Sequence, residues 1–379
     1  MIIQSKRVYI ADTLIPAQLQ IEGDKIVAVY RYNEKPVDKD YGDRRILPGF
    51  YDLHTHGYMG YDTTDGGKDG LRRWVRDLPK EGVCGFLPTT LTMSKDVLLN
   101  SVREVREVQQ ENPEGAAILG IHLEGPYINA KYKGAQPEPY IVKPDIEEFE
   151  EYQKACDNII KVVTMAPEKD EDFAFIKHVS QTGVNVQLGH SDADYDTAIM
   201  AIANGVNGFT HTYNAMPGLG HRENGSVGAA FRATDTFAEI ICDGNHSTPA
   251  ALNIFFKQKP TRGIMISDAL MCKGYEPGAK FDFGGQMVEI YPDGSAHLCE
   301  GKKNLAGSTL KLNEGLKVLV EKALVPFEVA VDAASLNPML YLHMADHKGR
   351  LRAGYDADIV VLNDDYSVEA TYCLGKEYH

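Results

Sequence analysis

Eight short apolar runs alternate with stretches of helical texture across the middle of this chain, and they limit its fold more than any other feature. The runs are Ile46–His56, Val83–Thr90, Ala117–Glu124, Ile160–Ala166, Val184–His190, Gly208–His211, Ala238–Cys242 and Gly263–Asp268. Strands buried on both faces read as continuous apolar segments, and their alternation with helices makes βα units around a parallel sheet. Eight such units in roughly 250–300 residues is the size of a (β/α)8 barrel. The structural rival is an open doubly wound sheet, but no G-x-G-x-x-G follows the early strands. The expected fold is α/β, a TIM-like (β/α)8 barrel.

The two ends of the chain have a different texture. Arg7–Ala11 and Ala17–Tyr30 alternate like short strands, with Gly23-Asp24 placed for a hairpin turn, and the same pattern returns over Gly349–Leu362. The expectation is one small discontinuous β-sandwich domain from residues 1–45 and 346–379, around a barrel of residues 46–345. Two segments exceed a plain βα loop: Tyr213–Asp235, Gly-rich and polar, and Met271–Gly307, with strand-like pieces and a turn at Pro292-Asp-Gly. Insertions on the C-terminal face of a barrel shape substrate sites.

Nearly every apolar run closes on a potential metal ligand or acid. The first ends Asp52-Leu-His54-Thr-His56, and residues i and i+2 of a strand share a face, so both imidazoles can grip one ion. Later runs end at Glu124, His190, His211 and Asp268, with His246 shortly after the seventh. One histidine at a strand end is most simply a hydrogen-bonded structural residue. Four histidines, a glutamate and an aspartate at the C-terminal ends of barrel strands are a metal-site pattern, because that face carries active sites and because Zn²⁺ and Fe²⁺ accept these ligands. No lysine ends the third or fourth run, and Lys161 stands at the start of its run. Cys272 has no partner His by spacing and reads as structural, as does Trp74.

Composition narrows the partners. A net charge of −15 argues against nucleic acid and anionic membrane surfaces. No run approaches the ~18 apolar residues of a membrane span, and the first residues lack a signal-peptide core. Six scattered cysteines without a C-x-x-C pair read as reduced thiols. Together these lead to an expected cytoplasmic location.

Leu47-Pro-Gly-Phe-Tyr-Asp-Leu-His-Thr-His resembles the opening of the amidohydrolase superfamily, and Gly349–Val361 is similar to its closing segment. Within it, His122-Leu-Glu-Gly-Pro, Gly189-His-Ser-Asp-Ala, His211-Thr-Tyr-Asn-Ala-Met, Asp243-Gly-Asn-His and Leu305-Ala-Gly-Ser resemble, in order, the N-acetylglucosamine-6-phosphate deacetylase family. The resemblance implies hydrolysis of N-acetylglucosamine 6-phosphate to glucosamine 6-phosphate and acetate in amino-sugar catabolism and cell-wall sugar recycling. It implies metal ligation by Glu124, His190 and His211. Members divide between one ion and two at the first motif, and His54 and His56 here leave a second ion open, with Glu124 as bridge and Asp268 beside it. The ions would be Zn²⁺ or Fe²⁺, with Mn²⁺ and Co²⁺ open as well.

Asp268 resembles the family's catalytic acid and base, while Ser-Asp-Ala after a strand also suits a plain helix N-cap. His246 would meet the substrate. Asn214, the Ala215 backbone N–H and Arg222 match phosphate-binding positions, with Arg222 reaching across a homodimer interface, and His221 beside it is a further phosphate candidate. Gln136 stands where some members carry a sugar-contacting His, and Leu305 and Ala306 would pack the acetyl methyl; an ordinary helix entry capped by Ser308 is the plainer reading of that stretch. Two rivals remain: another amidase or deaminase of the superfamily, and a non-catalytic amino-sugar-binding barrel. Arg222 counts against the first, since a neutral ring needs no phosphate grip. Asp268 beside a full ligand set counts against the second, since a binder has little use for a proton shuttle.

Overall fold

A computed structural model describes residues 1–65, 67–301 and 304–379. Its centre is a ring of eight parallel strands: β1 (Phe50–Thr55), β2 (Val83–Thr90), β3 (Ile121–Glu124), β4 (Ile160–Met165), β5 (Asn185–Leu188), β6 (Val206–Phe209), β7 (Ala238–Ile241) and β8 (Gly263–Ile266). Neighbours pair in parallel from β1 to β6, and β7 pairs with β8. Backbone hydrogen bonds close the two remaining seams. Phe209 N donates to Phe237 O beside β7, and Asp268 N donates to His54 O between β8 and β1. β1 and β2 are buried along their whole length, the polar Asp52, His54 and Thr55 of β1 included.

The ends of the chain build a second sheet from Ile2–Ile10, Thr13–Glu22, Lys25–Arg31, Arg45–Pro48, Ile359–Leu362, Val368–Cys373 and Lys376–Tyr378, with Lys39–Asp40 beside the first of these. The Gly23-Asp24 hairpin forms as expected, with Gly23 at φ 59°. Lys25 bridges back to Asp356, so the sheet curls into a sandwich around Ile3, Leu19, Ile26, Ile359 and Val361.

The expected first run, Ile46–His56, is split between the two sheets. Arg45–Pro48 pairs with Ile359–Leu362, and β1 begins after Gly49. A Cβ at Gly49 would lie 2.3 Å from Cys84 Sγ, so the crossing between sheets needs glycine. Continuous hydrophobicity hid this break because both halves are buried.

A buried charge cluster joins the sheet to the barrel. Lys348 Nζ lies 2.7 Å from carboxylate oxygens of both Asp356 and Asp358, and Tyr51 on β1 donates to Asp358 at 2.9 Å. Removing one partner of such a cluster strands a buried charge. Lys348→Ala should therefore lose about 3–5 kcal/mol in urea unfolding. A loss below about 1 kcal/mol would show that the cluster is dispensable.

The segment before the last helices contains the antiparallel strands Lys280–Phe283, Gln286–Ile290 and Ala296–Leu298, with the turn at Pro292-Asp-Gly, as expected. Lys302 and Lys303 of that segment lie outside the described residues. Tyr213–Asp235 differs from the expectation of one long insertion, because only its first half is loop. Gly225–Arg232 is a helix whose Gly, Ser and Ala positions are buried. Small residues there permit close packing, and their glycines disguised the helix as loop. The six cysteines are unpaired. Among the described residues no helix is long and apolar enough to cross a membrane.

Candidate metal centre and active site

The strand exits put six side chains in one place. His54 and His56 leave β1 on the same face, and Glu124 ends β3. His190, His211 and Asp268 each stand two residues beyond their strands, β5, β6 and β8. All three take left-handed backbone angles, with φ of 48°, 29° and 49°. Non-glycine residues resist this region, and it recurs where side chains are aimed at functional centres. Asp268 is no helix cap, for the next helix begins at Leu312. Ser308 likewise caps no helix: the helix that begins at Leu312 has Lys311 at its N-cap, while Ser308 Oγ donates to Ser267 O and accepts from Leu310 N.

Glu124 is the hub. Its Oε1 lies 3.3 Å from Nε2 of each of His54, His190 and His211, and Oε2 lies 3.3 Å from His56 Nε2. Asp268 Oδ1 is 3.3 Å from His56 Nε2 and 3.5 Å from His54 Nε2. His190 Nδ1 faces Tyr132 O at 2.8 Å and His54 Nδ1 faces Glu239 Oε2 at 3.0 Å. Both partners only accept, so each Nδ1 carries a proton and Nε2 is the nitrogen each ring can offer to an ion.

A divalent ion fits this arrangement. Glu124 Oε1 is a buried carboxylate oxygen with no hydrogen-bond partner, a costly orphan unless a cation meets it. The 3.1 Å between His190 and His211 Nε2 is near the roughly 3.3 Å edge of a tetrahedron with bonds of about 2.0–2.1 Å. The donors fall into two groups, Glu124–His190–His211 and His54–His56–Asp268, so the site has ligands for one ion or two.

Electrostatics hold both acids as anions. Burial works to raise Glu124, but the imidazoles of His54 and His190 hold it well below the ordinary carboxylate range. Burial likewise works to raise Asp268, and His54, His56 and His211 outweigh it, bringing it to about 2. His56 responds in the opposite sense: burial pulls it down, yet Asp268 and Glu124 raise it to about 9.

A cavity of about 370 Å³ opens over the cluster. His56, Glu124, His190, His211 and Asp268 form its floor, and Asn214, Ala215, His246, Leu305 and Ala306 its walls. His54 is fully buried behind them. His246 is oriented by Asp243, whose Oδ2 lies 2.7 Å from its Nδ1. Gln136 lines the cavity too, but its amide is engaged: Nε2 donates to Glu124 and Oε1 accepts from Thr92 N.

Arg222 and His221 are not brought in. Both are exposed, and Arg222 lines a neighbouring cavity of about 730 Å³ that shares Lys131 and Tyr132 with the first. Cys272 is buried, its thiol pushed up to about 12 by that burial, in keeping with a structural role. Trp74 is buried against Phe86.

Reading only strand ends missed Glu239, Gln187, Thr210, Thr164 and His122, which point into the barrel beneath the ligands. Their signal was present, since Glu239 interrupts the apolar Ala238–Cys242 run.

Residues 45–378 match the model of the amidohydrolase family. The chain is 37% identical to the N-acetylglucosamine-6-phosphate deacetylase of Bacillus subtilis (strain 168), over 88% of this chain and 84% of that protein. It is 32% identical to the N-acetylgalactosamine-6-phosphate deacetylase of Escherichia coli O157:H7, over 95% and 94%. The crystal structure of N-acetyl-D-glucosamine-6-phosphate deacetylase from Mycobacterium smegmatis superposes with a TM-score of 0.94 at 28% identity, covering all of both chains.

Proposed function

This chain belongs to the amidohydrolase family, and we propose from that premise that it hydrolyses the acetamide of N-acetylglucosamine 6-phosphate, releasing acetate and glucosamine 6-phosphate. The observation that carries the reading is the Glu124-centred cluster with Asp268 at the floor of a sugar-sized cavity. Relatives with this activity align across most of the chain.

Glu124, His190 and His211 would hold a divalent ion, and His54, His56 and Asp268 a second. Imidazole and carboxylate donors suit Zn²⁺ or Fe²⁺ first, then Mn²⁺ or Co²⁺. Such an ion supplies Lewis acidity to the amide carbonyl and makes water a nucleophile near neutral pH.

The remaining work belongs to the chain. Asp268, kept ionised, accepts the proton of the attacking water and passes it to the amide nitrogen, so that the amine leaves protonated. His246, its Nδ1 held by Asp243, presents the opposite ring nitrogen to the substrate, where it meets charge growing on the carbonyl oxygen. Leu305 and Ala306 pack the acetyl methyl. Asn214 and the Ala215 N–H bind the phosphate. Arg222 joins them from the other subunit of a homodimer, a reading supported by its exposure and its absence from its own cavity wall. His221 stands beside it as a further phosphate contact. Unpaired cysteines and a phosphorylated substrate suit a cytoplasmic enzyme.

The test is acetate release from N-acetylglucosamine 6-phosphate, its galactosamine epimer and unphosphorylated N-acetylglucosamine, before and after chelation. Fast, chelator-sensitive release from the first supports the reading. Faster release from the epimer would reassign the sugar, and no release from any of them, with metal bound, would overturn the reading. Arg222→Ala should raise KM for the phosphorylated sugar about 10–100-fold and leave the unphosphorylated one unchanged, because Arg binds phosphate oxygens through charge-assisted hydrogen bonds. Equal effects on both would remove Arg222 from the phosphate site.

A further inference from the structure

The floor of the barrel is unusually polar. Cores of such barrels are layers of branched apolar side chains, yet here Glu239 of β7, Gln187 of β5, Thr164 of β4 and His122 of β3 are all buried beneath the ligands, with Thr210 just past β6. They form one connected chain. His54 Nδ1 donates to Glu239 Oε2 at 3.0 Å, and Gln187 Nε2 donates to Glu239 Oε1 at 2.9 Å. Thr210 Oγ1 donates to Gln187 Oε1 at 2.7 Å and lies 2.7 Å from Thr164 Oγ1. Thr164 Oγ1 is 2.7 Å from His122 Nε2, and His122 Nδ1 is 3.1 Å from Leu53 O.

His54, His122 and Glu239 are close enough to suggest a third ion site. Their partners rule against it. Both nitrogens of His122 are already hydrogen-bonded, so it has no donor atom to spare, and the Nδ1 that His54 would have to offer carries the proton it gives to Glu239. The group is a supporting shell, and its output is the orientation of His54.

We propose that Glu239 is a positioning residue: it locks the His54 ring with Nδ1 protonated and Nε2 aimed at the His54–His56–Asp268 group, and thereby sets whether that group holds its ion. The inference rests on the metal-centre reading above. It adds an asymmetry between the two donor groups. His190 leans on a backbone carbonyl, while His56 Nδ1 and His211 Nδ1 have no hydrogen-bond partner. Among the described residues, His54 is the one histidine of the cluster whose outer nitrogen meets a carboxylate side chain. A buried carboxylate costs several kcal/mol to desolvate, and carboxylate partners of ligating imidazoles fix the tautomer and raise ligand basicity, their loss typically weakening metal affinity 10–100-fold. Gln187 in turn holds Glu239 in place through its second oxygen.

The experiment is titration of metal-stripped protein with Co²⁺ alone, following the ligand-field spectrum and ions bound per chain. Wild type should bind two ions in distinguishable steps. Glu239→Gln, nearly isosteric, should weaken one step about 10–100-fold and leave the other, assigned to Glu124–His190–His211, unmoved. The unfolding midpoint of the metal-free protein should stay close to wild type. Gln187→Leu, which frees one oxygen of Glu239, should weaken the same step by a smaller factor. Equal weakening of both steps, unchanged binding in Glu239→Gln, or a wild-type protein that binds only one ion would each overturn the proposal. Nitrogen-15 shifts of His54 in the metal-free wild type give a check without any variant: a proton on Nδ1 is expected whether or not Nε2 also carries one, and an unprotonated Nδ1 would overturn the proposal as well. Failure of the deacetylase reading would appear separately, as absent acetate release with these ion-binding steps intact.

Discussion

Asp268→Asn should lower kcat for N-acetylglucosamine 6-phosphate by about 10²–10⁴-fold while KM changes little. The amide keeps the size and most of the hydrogen bonding of the carboxylate but can neither take the water's proton nor deliver it to the leaving nitrogen, and general acid–base catalysis is worth roughly that range. The left-handed backbone at 268 favours the swap, since asparagine tolerates such angles better than most residues. The ion on Glu124, His190 and His211 should remain, because Asp268 belongs to the other donor group. Steady-state kinetics with metal analysis of the same sample separates the possibilities. Near wild-type turnover would remove Asp268 from the proton path. Lost turnover together with loss of both ions would make it a structural ligand only.

Glu124→Gln should be more damaging. It removes the single charge at which three imidazoles converge at 3.3 Å, so the loss of metal affinity should exceed the ~10–100-fold typical of supporting residues. Turnover should fall to background with it. A thermal readout avoids reliance on activity. An ion that binds only folded protein stabilises by about 2.7 kcal/mol at a hundred times its dissociation constant. Added Zn²⁺ should therefore raise the melting temperature of wild type and leave that of Glu124→Gln flat. An equal rise in both would show that the ion does not depend on Glu124.

The barrel was legible because burial on both faces erases polar alternation, and most runs ended where a ligand or acid began. The cluster was legible for a related reason: His54 and His56 share a strand face, and a polar residue closing an apolar run has nowhere to go but the barrel mouth. What stayed hidden has physical causes too. The break at Gly49 leaves no polar mark because strands of both sheets are buried there. The helix Gly225–Arg232 hid behind small residues that serve close packing. The angles of His190 and His211 follow from the loops beyond, which a strand pattern does not encode. Glu239 was visible as an acid inside an apolar run, but only the closed ring reveals that β7 lies one strand away from β1, so that it meets His54. Arg222 carried the opposite ambiguity, because an exposed arginine reads the same whether it serves solvent or a neighbour.

The pairing of Arg45–Pro48 with Ile359–Leu362 has a consequence for how the chain is made. Those partners are about 310 residues apart, so a ribosome adding roughly 5–20 residues per second needs some 15–60 s between them. Throughout that interval the early strand has an open edge, and the Lys348–Asp356–Asp358 cluster that ties the sheet to the barrel is made only as it closes. The barrel strands from β1 to β6, each paired to the next in sequence, can begin to assemble as they emerge. The curled sheet must be the last part to close, and translation speed late in the message sets how long an unprotected strand edge waits in a crowded cell.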